Sequence, residues 1–98
     1  MNIHQQKNGN ALTVALEGRL DTMTAPELEA ALNSALAGVE DLTFDLEKLD
    51  YISSAGLRVL LAAQKTMNRQ GSIKVVHANE IVMEIFDVTG FADILTIE

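Results

Sequence analysis

Cysteine is absent from this 98-residue sequence, and basic residues are few. Without cysteine the chain can form neither a disulfide nor a thiolate metal site. A reducing compartment would therefore not affect its stability through loss of a disulfide. Seven Lys and Arg residues against fourteen Asp and Glu residues give a formal net charge of -7, which repels nucleic acid phosphates and anionic membranes. The sequence also lacks the apolar run of a signal peptide or of a membrane helix, which needs about 18 apolar residues. We therefore expect a cytoplasmic protein that binds neither nucleic acid nor membrane.

What the sequence does contain is the composition of one globular domain over residues 1–98. Hydrophobic residues make up 48% and charged residues 21%, far from the composition of a disordered chain. A domain of this size buries roughly two-thirds of the surface that its unfolded chain exposes. We expect a single modest core.

Three helices are indicated by capping residues and by apolar residues at helical spacing. Thr24 and Glu27 predict a capping box at the start of a helix over about residues 25–37, with Pro26 in its first turn. A second helix is expected from Ser54 to near residue 71. A third is capped by Asn79 and ends at residue 90.

Alternating apolar and polar residues predict the strands. An opening hairpin turns at residues 7–10, and its second strand covers residues 11–17. Further strands are expected at the segments 42–46, 73–76 and 94–97, with a turn around residues 48–51. The order indicates an α/β fold with a mixed, mostly parallel sheet of four to five strands, an antiparallel edge and three to four helices. Because binding sites in such sheets lie at strand-to-helix turns, we expect function at residues 18–24 and 50–56.

Two adjacent serines begin the second predicted helix. One hydroxyl suffices to cap a helix, and a capping role is the commoner explanation for a serine at such a position. The other serine is free to face solvent, next to Gly56, whose missing side chain would let a partner's backbone approach. A phosphate at this place would be favoured by the unpaired N–H groups and partial positive charge of the helix start. Phosphorylation should therefore leave the domain folded and act on whatever docks over the turn.

Over nearly its whole length the sequence resembles the STAS domains, named for sulphate transporters and anti-sigma-factor antagonists. The resemblance lies in three motifs: Gly-Arg-Leu-Asp at residues 18–21, Tyr-Ile-Ser-Ser-Ala-Gly-Leu at residues 51–57, and Ile-Phe-Asp-Val-Thr-Gly at residues 85–90. It implies a STAS fold. In the bacterial antagonists the middle motif commonly reads Asp-Ser-Ser-Gly-Leu, with the first serine phosphorylated. Aligned from its Gly-Leu end, that acceptor falls on Ser54.

The middle motif departs from the family pattern in two places. Ser53 stands where the family has Asp, and Ala55 replaces the second serine. These differences leave Ser53 as the second choice for the acceptor, because the loss of a carboxylate changes what a kinase reads in the loop.

The resemblance implies protein partners and no cofactor. An unphosphorylated antagonist binds an anti-sigma factor, a serine kinase of the histidine-kinase-like ATPase fold, and is released when that kinase phosphorylates it; a metal-dependent phosphatase of the PP2C type restores it. The implied contact residues are Asp21, Thr22, Met23, Thr24, Ser53, Ala55, Gly56, Leu57 and Arg58. A loop carboxylate that only serves its own turn is an equally good explanation of Asp21. A solvated side chain is the commoner explanation of Arg58, which could instead pair with an acidic partner or the phosphate.

No catalytic set or metal site is identified in the sequence. The two histidines, His4 and His77, lie far apart and are expected to be ordinary surface or hydrogen-bonded residues. No glycine-rich phosphate loop is present, so the kinase should supply the ATP. Two alternatives stay open: a constitutive STAS subunit, for example of a lipid-transport ATPase, with the Ser54 hydroxyl as a contact, and a module that binds a small ligand between the two turns.

Overall fold

The computed structural model describes all residues 1–98, which form a four-stranded sheet and three α-helices. The elements in chain order are β1 (Asn2–Asn8), β2 (Ala11–Leu20), α1 (Ala25–Ala35), β3 (Asp41–Ile52), α2 (Ser54–Gln70), β4 (Ser72–Val76), α3 (Glu80–Thr89) and a 3-10 turn (Phe91–Asp93). The strand order is β1-β2-β3-β4, antiparallel between β1 and β2 and parallel elsewhere. The predicted α/β class, the antiparallel edge and the numbers of strands and helices are confirmed.

The core lies between the helices and one face of the sheet. Alternate residues of β2 and β3 are buried, and they join the apolar sides of all three helices in one cluster of 24 buried side chains, all of them apolar. The chain turns from β4 into α3 through Asn79, whose side chain accepts a hydrogen bond from the Val82 N–H at 2.8 Å, as predicted. Gly90 ends α3 in the left-handed conformation that glycine adopts without strain. No helix is both long and apolar enough to cross a membrane.

The predicted turn around residues 48–51 is wrong, because β3 continues to Ile52. The pairing of β2 with β3 shifts register between Ala15 and Glu17, where β3 contains an extra residue. Such a bulge interrupts the alternation of buried and exposed residues. As a result, Leu46 and Leu49 both face the core. The two exposed residues between them, Glu47 and Lys48, interrupt the strand pattern and led to the prediction of a turn.

The predicted closing strand over residues 94–97 is also wrong. Only a single parallel bridge joins Ile97 to Val75 of β4. After Gly90 the chain forms the 3-10 turn and then buries Leu95, so too few residues are left for a strand.

The predicted capping box at α1 is wrong, although the helix begins at the expected residue. Thr24 already has helical backbone angles, and its side chain makes no cap hydrogen bond. Its hydroxyl instead accepts from the Asp21 N–H at 2.9 Å and donates to the Arg19 carbonyl at 2.8 Å. The hydroxyl therefore closes the turn before the helix, and α1 itself ends at Ala35, two residues earlier than predicted.

Candidate functional site

The two strand-to-helix turns singled out in the sequence lie side by side. Strands β2 and β3 are parallel, and their last pair is Leu20 with Ile52, so both end at the same edge of the sheet. The Ser53 N–H donates to the Leu20 carbonyl at 2.8 Å, which joins the start of α2 to the start of the other turn. The adjacent turns form one surface, which we call the switch surface: residues 21–24 together with residues 53–58.

The two serines have different surroundings at the start of α2. Ser53 has an extended backbone, and its hydroxyl oxygen accepts a hydrogen bond from the Gly56 N–H at 3.3 Å. Ser54 is the first residue of the helix, its side chain is exposed, and its hydroxyl makes no hydrogen bond within the chain. Ser53 therefore provides the helix cap, whereas the Ser54 hydroxyl is free to react or to contact a partner.

Two of the implied contact residues, Gly56 and Leu57, are buried. A Cβ atom on Gly56 would lie 2.6 Å from Cγ of Leu20 and 2.9 Å from Cγ1 of Ile52. The expectation that the missing side chain faces a partner is therefore wrong, because it faces the core. Gly56 lets α2 pack closely over the ends of β2 and β3, and Leu57 supports the switch surface from beneath.

Asp21 holds the first turn of the switch surface together. Its Oδ1 accepts from the N–H groups of Met23 at 3.0 Å and Thr24 at 3.1 Å. These bonds, that of Thr24 foremost, hold the pKa of Asp21 below its ordinary value, and the nearby Arg19 guanidinium acts in the same direction. Two roles for Asp21 were considered from the sequence, a partner contact and a carboxylate that orders its own turn. The hydrogen bonds in the structure are those of the second role. The ordered turn presents Met23 at its tip, where the residue is 85% exposed.

Arg19 lies within the predicted turn at residues 18–24 but was not among the predicted contact residues. Its guanidinium lies 4.6 Å from the ring centroid of Tyr51, which is its partner across the β2 and β3 pair. Its Nε also lies 3.8 Å from Oδ2 of Asp21. Stacking on a ring and pairing with a carboxylate both restrict a long side chain. The sequence gives no signal for this contact, because it depends on the shifted register of the two strands.

A shallow groove of about 240 Å³ runs between α1 and α2 at the switch surface. It is lined by three of the predicted contact residues and four others: Thr22, Ala55 and Arg58, with Ala25, Pro26, Glu29 and Val59. The side of α1 was not predicted from the sequence, because the expected contact residues lay in the two turns and at the start of α2. The exposed Glu29 faces this groove from α1, and Arg58 faces it from α2.

A second group of polar side chains lies on the sheet, outside the switch surface. Nδ1 of His77 is 3.0 Å from Oδ1 of Asp45, and the ligand atoms of Asp45, Glu47 and His77 all lie within 4.8 Å of one another. This is the one arrangement in the chain with the spacing of metal ligands. Asp45 Oδ1 also accepts from the Glu47 N–H at 3.1 Å, so one of its oxygens already has two partners. His77 is exposed and hydrogen-bonded, as expected of an ordinary surface histidine.

Comparison with known proteins gives one family. The chain matches the family model described as "Mlab, STAS domain" over residues 3–96. It is 32% identical to the anti-sigma-B factor antagonist of Bacillus subtilis, an alignment that covers 99% of this chain and 90% of that protein. Both the family model and the Bacillus subtilis relative match nearly all of the chain, including the two turns of the switch surface.

Solved structures share the fold at lower identity. An anti-sigma factor antagonist from Mycobacterium paratuberculosis superimposes with a TM-score of 0.89 at 23% identity, covering 98% of this chain and 83% of that one. SpoIIAA in its unphosphorylated form gives a TM-score of 0.86 at 16% identity, covering 99% of this chain and 88% of that one. The phosphorylated form of the Bacillus protein gives 0.77 at 15% identity, covering 99% and 91%. With the fold, the family model and the Bacillus subtilis relative in agreement, the chain belongs to the STAS-domain family of anti-sigma factor antagonists.

Proposed function

We propose that this protein is a cytoplasmic partner switch that antagonises an anti-sigma factor under the control of Ser54 phosphorylation. Unphosphorylated, it binds an anti-sigma serine kinase of the histidine-kinase-like ATPase fold, and a phosphate on Ser54 releases it. A PP2C-type phosphatase returns it to the binding form. The observation that carries the proposal is the exposed, unbonded hydroxyl of Ser54 at the start of α2.

The geometry favours Ser54 over Ser53 as the acceptor. The Ser53 oxygen is engaged by the Gly56 N–H, so phosphorylation there would alter the helix cap itself. Ser54 can take a phosphate without breaking a hydrogen bond of the fold. An exposed hydroxyl is also what a kinase must reach, and the Ser53 side chain is half-buried.

A phosphate on Ser54 would be tolerated by the domain and resisted by a partner. It would carry about −1.5 to −2 charges, and the first turn of α2, which has no acidic residue, offers unpaired N–H groups to it. A partner fitted to a neutral hydroxyl would meet new charge and volume at the same place. If the mismatch costs about 3 kcal/mol, affinity falls about a hundredfold, which is enough to reverse a competition between partners.

The remaining contacts would come from the rest of the switch surface. Met23, exposed at the tip of an ordered turn, offers an apolar anchor of the kind that partners bury. Arg58 lies one helical turn after Ser54 and lines the groove, where it can pair with a partner carboxylate before phosphorylation or with the phosphate afterwards. Both roles place one positive charge beside the acceptor.

The relatives support this function by their names. One relative is described as an anti-sigma-B factor antagonist, and SpoIIAA is described in phosphorylated and unphosphorylated forms. The fold thus accommodates both states in a related protein.

The test is intact-mass spectrometry of the protein recovered from its native host, with fragmentation to place any phosphate. We expect one phosphate, on Ser54, that disappears after treatment with a PP2C-type phosphatase. Ser53→Ala should still take up the phosphate, whereas Ser54→Ala should take up none. Ser54→Ala should also remain bound to the kinase, and Ser54→Asp, a mimic with less charge, should bind weakly. A protein that stays unmodified through growth and stress would refute the switch and favour a constitutive STAS subunit.

A further inference from the structure

Helix α3 carries an apolar stripe that nothing in the chain covers. Val82 and Phe86 face the core, whereas Ile81 is 58% exposed and Val88 is 77% exposed. These two lie seven residues apart, so they share one side of the helix, with the half-buried Ile85 between them. We call Ile81, Ile85 and Val88 the α3 stripe. Single exposed apolar residues are ordinary on protein surfaces, but a row of them on one side of a helix is typical of a surface that binds a partner.

The charged residues of α3 itself have one sign. Residues 78–98 contain no Lys or Arg, and their five acidic residues are all exposed: Glu80, Glu84, Asp87, Asp93 and Glu98. Of these, Glu98 has a basic partner in Lys74 of β4, whose Nζ lies 4.0 Å from its Oε1, and the three acidic residues of α3 have none. At 100° per residue, the order around α3 runs from the core side through the stripe to Glu84, Glu80 and Asp87. The stripe is therefore bordered by the core on one side and by carboxylates on the other.

This pattern selects among the classes of partner. A second copy of the chain would bring two sets of like charges together, and an anionic membrane or a nucleic acid would be repelled in the same way. A partner helix with an apolar side and neighbouring Lys or Arg residues could pack on the α3 stripe and pair with the carboxylates beside it. We propose that the α3 stripe binds a basic amphipathic helix of a partner protein, with Ile81 and Val88 as anchors and Glu84 and Glu80, the two carboxylates next to the stripe, as charge partners.

This surface is separate from the switch surface. The groove beside Ser54 is lined by residues of α1, α2 and the turn before α1, and none of them lies in α3. A partner at the α3 stripe therefore does not depend on the phosphate acceptor, and either interaction can fail without the other.

The test uses the full chain labelled with 15N and a synthetic probe peptide. The probe has leucines at offsets of three and four with lysines between them, and the control peptide has the same composition in an order without an apolar side. We expect the probe to shift the NMR signals of α3 most, and the control peptide to bind at least tenfold more weakly. Shifts spread over all acidic surfaces would overturn the proposal.

Variants separate the two parts of the recognition. Ile81→Ser with Val88→Ser should weaken probe binding about tenfold or more, and circular dichroism should show an intact fold because both side chains are exposed. Glu80→Gln with Glu84→Gln should weaken binding and reduce its dependence on salt. A matched pair in and after α1, Glu27→Gln with Glu40→Gln, removes the same charge elsewhere, with Glu27 in a first helical turn like Glu80, and should leave binding unchanged. Equal losses in both charge pairs, or full binding by the serine variant, would refute the α3 stripe as a docking site.

Discussion

Replacing Gly56 with alanine tests how closely α2 packs over the ends of the central strands. The new Cβ would lie 2.6 Å from Cγ and 3.0 Å from Cδ2 of Leu20, and 2.9 Å from Cγ1 of Ile52. Both neighbours are fully buried, so neither side chain can move into solvent. The methyl group therefore requires α2 to shift or the two side chains to leave their preferred rotamers.

Two effects of opposite sign decide the result of Gly56→Ala. Overpacking a core costs about 1–3 kcal/mol. Alanine is the better helix former, by about 0.8–1.0 kcal/mol in a helix interior, and the gain is smaller in the first turn where Gly56 lies. We expect a net loss of about 1–2 kcal/mol. For a domain of this size that lowers the melting temperature by roughly 5–15 °C.

The assay is urea unfolding of the wild type and Gly56→Ala, followed by circular dichroism. Ala62→Gly, at an exposed position of the same helix, measures the propensity effect without the collision. If propensity alone mattered, Gly56→Ala would be stabilising, with a sign opposite to that of Ala62→Gly. A midpoint equal to or above that of the wild type would refute the close packing of α2 and, with it, the structural explanation of this glycine.

Further substitutions test two contacts of the switch surface and one at the other end of α2. Ser53→Ala should lose about 0.5–2 kcal/mol of unfolding free energy because it removes the cap of α2, whereas Ser54→Ala should change it by less than about 0.5 kcal/mol; equal effects in urea unfolding would contradict their assignment. Asp21→Ala should destabilise the protein at pH 7. The pKa of Asp21 is lower in the folded than in the unfolded state, so its contribution to stability is present above the unfolded value, about 3.9, and is lost as the pH falls through the folded value. The urea midpoints of variant and wild type should therefore converge as the pH is lowered below that range. Gln70→Ala should lose about 1–2 kcal/mol, because its amide donates to two main-chain carbonyls after α1, and an unchanged midpoint would show that water replaces them.

Local signals predicted most of the fold. The start of α2, the cap at Asn79 and the end of α3 at Gly90 each depend on residues next to one another in the chain, and all three are as predicted. The errors arise where distant pairing overrides local pattern. The bulge in β3 interrupts its alternating pattern, so the second half of that strand was not predicted. The final segment buries Leu95 against the core instead of forming a strand.

The candidate site was predictable in position but not in detail. Parallel strands bring their carboxyl ends to one edge, so the nearness of the two turns follows from the order of elements alone. Which serine caps the helix does not follow, because Ser53 and Ser54 are both good capping residues and only the backbone angles distinguish them. The groove side formed by Glu29 could not be predicted either, since it depends on how α1 lies against α2.

Leu20 is the residue through which the two halves of the switch surface are joined. Its carbonyl accepts the Ser53 N–H, its side chain fills the space beneath Gly56, and the turn ordered by Asp21 begins at the next residue. Any movement of the start of α2 must therefore displace the end of β2 as well, because the contact is both hydrogen-bonded and closely packed. Under the proposed function, a partner that docks on one turn would therefore meet the other in a fixed relation, and a phosphate on Ser54 would act on the whole switch surface.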